Sequence, residues 1–475
     1  MKSAAIISLE DIRSKKKREE MRKRLHERID KAYSQIEENV EEAKPSLMKI
    51  TGEVFKARQE ITKSVVESLV DIRYAEEKTR DWMLCPCGCK QRLTSRGVVE
   101  RKVETVVGII KISRPYFYCE KSNTGFYPMD EALGLTDRRK QWDVQKAIAG
   151  LAKEMPYGSA CELYEELTGM KVSEHSAHEI TNEAAEGLGV VEVSPSREEV
   201  EQKIEAAGKR KGRKWRPIMV VGIDGADTPT RALEETAQRE GKRPRWKGQW
   251  REAKGFRIYL VDGDRIDHVL SWHQIQDEEG LFASLGQIKA AGLIPEELVR
   301  LCVVADGAPW IWAKVHELFP TAKEVLDYYH AAEHIHGIAE VQYLHDSYRA
   351  LEWVEATITR LFCNDMEGVV GSLRGMIPSS EEAASVIERG IKYLEKNKER
   401  MRYKTIRKGG YPLGSGGIES AHKFISHVRL KRSGAWWYVS NGNNMLALRC
   451  AKYNETFDRL FDRRQRKRKE KVFQK

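Results

Sequence analysis

Two runs of apolar residues end in acidic turns. The run 217–223 is almost continuously apolar, as a buried central strand should be, and it ends in Asp224-Gly225-Ala226-Asp227. The run 301–305 reads as a second buried strand and ends in Asp306-Gly307-Ala308. Between them, 256–261 and 266–272 flank the turn Asp262-Gly263-Asp264 and predict a hairpin, with a helix following at 279–291. If the two strand ends are neighbours, Asp224 and Asp306 meet, with Asp227 as a rival for the first position. Two carboxylates that close cannot both stay ionised without a cation. An oxygen-rich site of this kind suits Mg2+ or Mn2+.

Such a pair needs a third carboxylate to complete a two-metal site, and Glu419 is the best candidate. It lies in Gly414-Ser415-Gly416-Gly417-Ile418-Glu419-Ser420-Ala421-His422, where glycines form a tight loop and a helix begins at once. More than a hundred residues separate it from Asp306. They read as a helix at 308–319, a short strand at 324–328 and further helices at 343–362, 366–374 and 380–396. The pattern predicts an all-α insertion before the last catalytic helix. Asp327 and His330 form an Asp-x-x-His at a strand end, suited to positioning a phosphate or leaving group, or to a structural hydrogen bond.

A separate group of residues could ligate zinc. Cys85-Pro86-Cys87-Gly88-Cys89 precedes β-rich sequence at 97–103 and 106–113, and Arg114-Pro115-Tyr116-Phe117-Tyr118-Cys119 follows. Two cysteine-bearing turns about a hairpin apart resemble a zinc ribbon. Here the first turn is crowded and the second has one cysteine, with Ser122 where a partner would sit. Cys85, Cys87, Cys89 and Cys119 make one four-sulfur reading; the other is a degenerate ribbon that folds without metal. The remaining cysteines, Cys161, Cys302, Cys363 and Cys450, are scattered in apolar surroundings and read as small core residues.

The elements around these sites fill a chain too long for one ordinary domain. Net charge is +10, but residues 405–475 alone hold 17 Lys and Arg against 5 Asp and Glu. That local excess of 12 exceeds the whole, so a near-neutral body carries a basic C-terminal region. The expected partner is a polyanion, DNA or RNA, the plainer reading being a solvated tail. Residues 1–80 read as a charged helical arm, whose cations at 15–23 either face solvent or touch phosphates. Residues 81–138 form the zinc-ribbon-like β segment. Residues 139–192 read as three helices in a helix-turn-helix-like layout, with Ser173 as N-cap of the last, although that helix is not basic and a plain bundle fits as well. A break at 192–216 separates this from the α/β part. No signal peptide is visible, no stretch of about 18 apolar residues exists, and cysteine usage fits a reducing interior, so a cytoplasmic, nucleoid-associated protein without membrane contact is expected.

The chain resembles insertion-sequence transposases of the Kra type, a bacterial DDE family; the related Lre type shares several features. The resemblance runs from the Cys85 region to about Phe461. It is carried by 114–118 with Cys119, Pro128-Met129-Asp130 with Leu133-Gly134-Leu135, Asp306-Gly307-Ala308-Pro309-Trp310-Ile311, Leu326-Asp327-Tyr328-Tyr329-His330 with Glu333-His334, 414–419, and Arg429-Leu430-Lys431 with Ser433-Gly434 and Trp437. It departs at the first cysteine turn. The resemblance implies Asp224, Asp306 and Glu419 as the metal-holding DDE residues. They would sit in a ribonuclease-H-like core over 210–332 and 408–450, interrupted by the α-helical insertion at 333–407 and followed by a basic tail at 451–475. It implies strand cleavage and strand transfer on DNA with terminal inverted repeats, by a protein that pairs two ends as an oligomer. Arg429, Lys431, Arg432, Lys247 and Lys254 are then candidate DNA contacts. Two other readings are a nuclease of the same core that cuts without joining, and a DNA-binding protein that has lost catalysis.

Overall fold

The structure is a computed structural model and describes residues 9–41, 44–209, 216–231, 248–262 and 265–473. The chain is multidomain and mixes helices with a five-stranded sheet. It divides into two compact units, residues 1–184 with 458–475, and 185–457.

In the first unit the helices Leu9–Asn39 and Leu47–Arg73 lie antiparallel, tied by Arg28–Glu67 at 3.1 Å and Asn39–Glu53 at 3.1 Å. Strands β1 (Trp82–Leu84) and β2 (Arg92–Thr94) form one tiny antiparallel ribbon. Strands β3 (Val98–Thr105) and β4 (Gly108–Pro115) form a full hairpin, turned at Gly108, whose φ of 121° suits glycine. Strands β5 (Phe117–Cys119) and β6 (Thr124–Phe126) form a second tiny ribbon. The hairpin packs Val103, Ile110 and Ile112 with Met129 against Val66 and Val70 of the second helix. Asp130, on the short helix Pro128–Ala132, receives both Arg101, at 2.8 Å, and Arg114, which binds the hairpin to that helix. Helices Trp142–Ala152, Tyr157–Thr168 and Glu174–Ala185 close on Val144, Ile148, Tyr164 and Ile180. Glu179 and Glu183 on the last of them are taken by Arg138. The C-terminal segment is a helix, Phe457–Phe473, whose Asp458 pairs with Lys146 at 2.8 Å.

The second unit opens with helix Arg197–Gly208, capped reciprocally by Ser196 and Glu199. Its sheet uses β7 (Ile218–Arg231), β8 (Gly248–Asp262), β9 (Arg265–Ile275), β10 (Arg300–Ala305) and β11 (Lys323–Leu326), in the order β11-β10-β7-β8-β9. The first three are an antiparallel meander; β10 and β11 add in parallel on the other side of β7. The central strand is apolar on both faces because both are covered, which is why its sequence reads as a continuous run. Edge strand β9 is covered by helix Val439–Tyr453: Asn443 Oδ1 accepts the Ile275 N–H at 2.7 Å, and Asn454 Oδ1 that of Ser271 at 2.7 Å.

One expectation needs correction. β7 does not end at Asp224 but runs on to Arg231, paired with β8 throughout. What ends there is its parallel neighbour, since β10 stops at Ala305. Between β11 and the loop at 414 the chain is helical: Tyr328–Gln342, Ser347–Phe362, Met366–Arg374, Glu381–Asn397 and the short Tyr403–Lys408.

Candidate functional site

Strand register places the acidic residues. β10 pairs with β7 at Arg300↔Ile218 through Val304↔Gly222. Continuing that register by two residues sets Asp306 level with Asp224. β11 pairs with β10 at Ala305↔Leu326, so Asp327 falls at the same level on the third parallel strand. Three aspartates therefore stand level with one another, on β7 and just past the ends of β10 and β11. Asp227 sits three residues further along β7, which turns it to the opposite face, and it is exposed.

Glu419 reaches this edge from above. Helix Gly416–His422 lies on β7 and β8 because glycine is placed where the contact is closest. A Cβ on Gly222 would meet the Ile418 Cβ at 3.2 Å, and one on Gly417 would meet the Tyr259 ring at 2.8 Å. Alternate residues of a strand share a face, so Gly222 and Asp224 both face this helix. Ile418 points into the core, while Glu419 beside it is exposed. Arg257 on β8, itself buried, donates to the Gly417 carbonyl at 2.6 Å and fixes the helix start.

Asp327 is wholly buried and engaged. It caps helix Tyr328–Gln342 through the Tyr329 N–H at 2.6 Å, and its other oxygen accepts the Ser415 N–H at 2.5 Å. Ser415 Oγ donates to Glu419 Oε1 at 2.8 Å, and the Tyr328 N–H bonds to the Leu413 carbonyl at 2.9 Å. Of the two roles open to Asp327, the structural hydrogen bond is the one in place. Through Ser415 it joins the two ends of the helical insertion and orients the glutamate. His330 stays half-exposed with Nδ1 3.2 Å from Glu333.

The electrostatics agree with a shortage of positive charge. Burial pushes the Asp224 carboxyl up to about 6, and the charges of Asp306 and Glu419 push the same way, against the Gly225 N–H and His330. His422 Nε2 lies 3.7 Å from Asp224 Oδ2, but burial holds its ring at about 4, so it is neutral and no counter-ion. Its ring meets His273 edge-on at 4.5 Å, and His273 is kept neutral by complete burial. Carboxylate oxygens are hard donors, but among the described residues the group whose ligand atoms converge within 4.8 Å is the cysteine cluster.

Other groups at the site had no signal in the sequence. Tyr393, from the insertion helix Glu381–Asn397, comes so close to Gly307 that any side chain there would strike its ring. Its hydroxyl is buried without a hydrogen-bond partner, and its ring lies tilted against His334 with centroids 3.8 Å apart. The residues 423–427 after the glutamate helix form a turn of π-helix, a feature frequent at functional sites.

The predicted DNA contacts fare unequally. Arg429 is 4% exposed with its guanidinium 4.8 Å above the Trp437 ring, so it is a packing residue and a correction to that expectation. Lys431 and Arg432 are exposed beyond it, Arg432 donating to the Val428 carbonyl at 2.9 Å. Lys254 is paired with Glu252 and lies 4.9 Å over the Trp310 ring. Lys247 lies outside the described residues.

In the first unit, Cys85, Cys87, Cys89 and Cys119 bring their sulfurs within 4.8 Å of one another, a group that could bind a metal such as zinc. None of the described helices is long and apolar enough to cross a membrane.

The fold and sites thus define a multidomain α/β protein with an acidic edge on a mixed sheet and a separate thiol cluster. The chain belongs to the family described as Uncharacterised protein family (UPF0236), whose model matches residues 39–467. It is similar to a Streptococcus gallolyticus protein named "UPF0236 protein in vanSb 3'region", 23% identical over 372 residues that cover 76% of this chain and 74% of that one.

Proposed function

We propose that this protein is a DDE transposase of a bacterial insertion sequence, of the Kra type or the related Lre type, with a ribonuclease-H-like core. The observation that carries the reading is the shared level of Asp224 and Asp306 on β7 and the end of β10, with Glu419 delivered over Gly222 by its own helix. Divalent ions held by these carboxylates would lower the pKa of a bound water or 3′-hydroxyl and offset charge on the leaving oxygen of an in-line displacement. The protein's own part is positioning. Asp327 and Ser415 hold Glu419, Gly225 donates its N–H to Asp224 Oδ1 at 2.8 Å, and Ala308 donates to Asp306 Oδ1 at 2.9 Å. Exposed Lys431 and Arg432 supply charge for DNA phosphates.

The test is cleavage and strand transfer on DNA bearing the terminal inverted repeats that flank the gene, with Mg2+ or Mn2+. Asp306→Ala is expected to lower both by at least about a thousandfold while DNA binding, read by gel shift, stays within a few-fold. Cutting without joined products would favour the nuclease reading. Full activity in Asp306→Ala would remove the site assignment.

A further inference from the structure

The thiol cluster lies in a part of the chain that has too little structure to hold itself. Strands β1, β2, β5 and β6 are three residues each, in two separate two-stranded ribbons. Isolated ribbons of that size are not stable in water. Their common core is small: Cys85, Leu93, Phe117 and Cys119, with Met83, Cys89 and Phe126 around them. Two of its four most buried members are the cysteines themselves. Segments of this kind hold their shape through disulfides or a structural metal.

The sulfur geometry discriminates between those. Cys87 and Cys119 are 3.8 Å apart, Cys89 and Cys119 3.7 Å, and Cys85 and Cys87 3.0 Å. Zinc–sulfur bonds of about 2.3 Å in a tetrahedron put sulfurs about 3.8 Å apart. Two of the three spacings already match, and the third needs to open by under about 1 Å. A disulfide would instead pair two sulfurs and abandon the others.

Unusual turns bring the sulfurs together: Lys90, directly after Cys89, has φ 57°, Gly88 has φ 81° and Asn123 has φ 52°.

We propose that Cys85, Cys87, Cys89 and Cys119 form a closed four-thiolate zinc site that staples the β1–β2 turn to the β5–β6 ribbon. Four sulfur ligands leave no open position, so the role is structural. Ser122, in the place where a ribbon's fourth ligand is expected, is then not a ligand, because the first turn supplies three cysteines. Binding releases the thiol protons to solvent as the metal enters, with no change of oxidation state. The site is independent of the carboxylate edge and of any activity on DNA.

The experiment is metal analysis of the full chain purified under reducing conditions, with Co2+ substitution as a second readout. One zinc per chain is expected. The Co2+ form should show the intense thiolate-to-metal absorption and tetrahedral bands of a sulfur-only site. Cys119→Ser should lose the zinc and open residues 81–127 to protease, while Cys363→Ser, at an exposed cysteine elsewhere, should keep it. A folded chain that takes up no zinc when supplied with it overturns the proposal. So does a Cys85–Cys87 or Cys87–Cys119 disulfide found by mass mapping of the native protein, or a Co2+ spectrum without thiolate bands.

Discussion

Asp327 shows how one side chain can matter to a site without touching its chemistry. Its two oxygens serve amides that lie 86 positions apart in the chain, Tyr329 and Ser415. Asp327→Ala would leave the buried Ser415 N–H and the part-buried Tyr329 N–H without this partner, for a loss of roughly 2–4 kcal/mol. Asp327→Asn keeps one acceptor oxygen and should lose less than half of that. Chemical denaturation of the two variants checks this, and equal losses would mean that the amides find other partners. The sequence marked Asp327 by motif but left its role open, because nothing local says which distant amide will arrive. Tyr393 had no signal at all, since a tyrosine on an amphipathic insertion helix looks like any packing residue. Asp306 stood out as the polar residue just past a buried strand, and Asp224 as the first polar residue after an apolar run whose strand in fact continues. Arg429 was misjudged for the same local reason: a cation after the glutamate helix looks available until Trp437 is seen beside it.

At the scale of elements, the contact between the glutamate helix and the sheet is set by absent side chains. Gly222→Val would press its branches into Ile418, which sits fully buried above it. Overpacking of this kind costs about 1–3 kcal/mol, and it also lifts Glu419 away from the strand edge. The variant is expected to melt earlier and to lose activity out of proportion to its loss of stability. A variant with unchanged melting would mean that the helix is free to ride on the sheet. Three helices of the insertion, read at 343–362, 366–374 and 380–396, fall within a few residues of their bounds because their apolar spacing is strong, while the helix Tyr328–Gln342 is missing from that reading. Strand length was not predictable. The extension of β7 past Asp224 depends on pairing with β8, and pairing partners carry no local mark.

For the second unit as a whole, acid sensitivity follows from its buried histidines. His268 is held down to about 3, chiefly by burial, with the charges of Arg257 and Lys203 acting the same way and a hydrogen bond with Asn454 opposing them. An unfolded chain protonates this ring near 6.5, so the folded form has its full stability above that value and loses it as pH falls toward 3. His273 behaves alike. Between pH 7.5 and 5.5 each should remove about 1 kcal/mol. His422 adds to that loss and the raised Asp224 carboxyl opposes it, so urea titrations at the two values should show a net loss, and His268→Gln should remove about 1 kcal/mol of it. A pH-independent midpoint would mean that neither ring is buried in solution.

The division of the chain into units has a consequence for its synthesis. The first unit takes residues 1–184 and then 458–475, so everything between is a detour made before that unit receives its last helix. A ribosome finishes the acidic-edged sheet while the helical bundle that binds Asp458 through Lys146 still lacks its closing piece. Segment 458–475 therefore completes a unit that was begun before the whole sheet was made. A chain cut after Phe457 keeps the sheet unit whole and leaves the helical unit without the segment that carries Asp458.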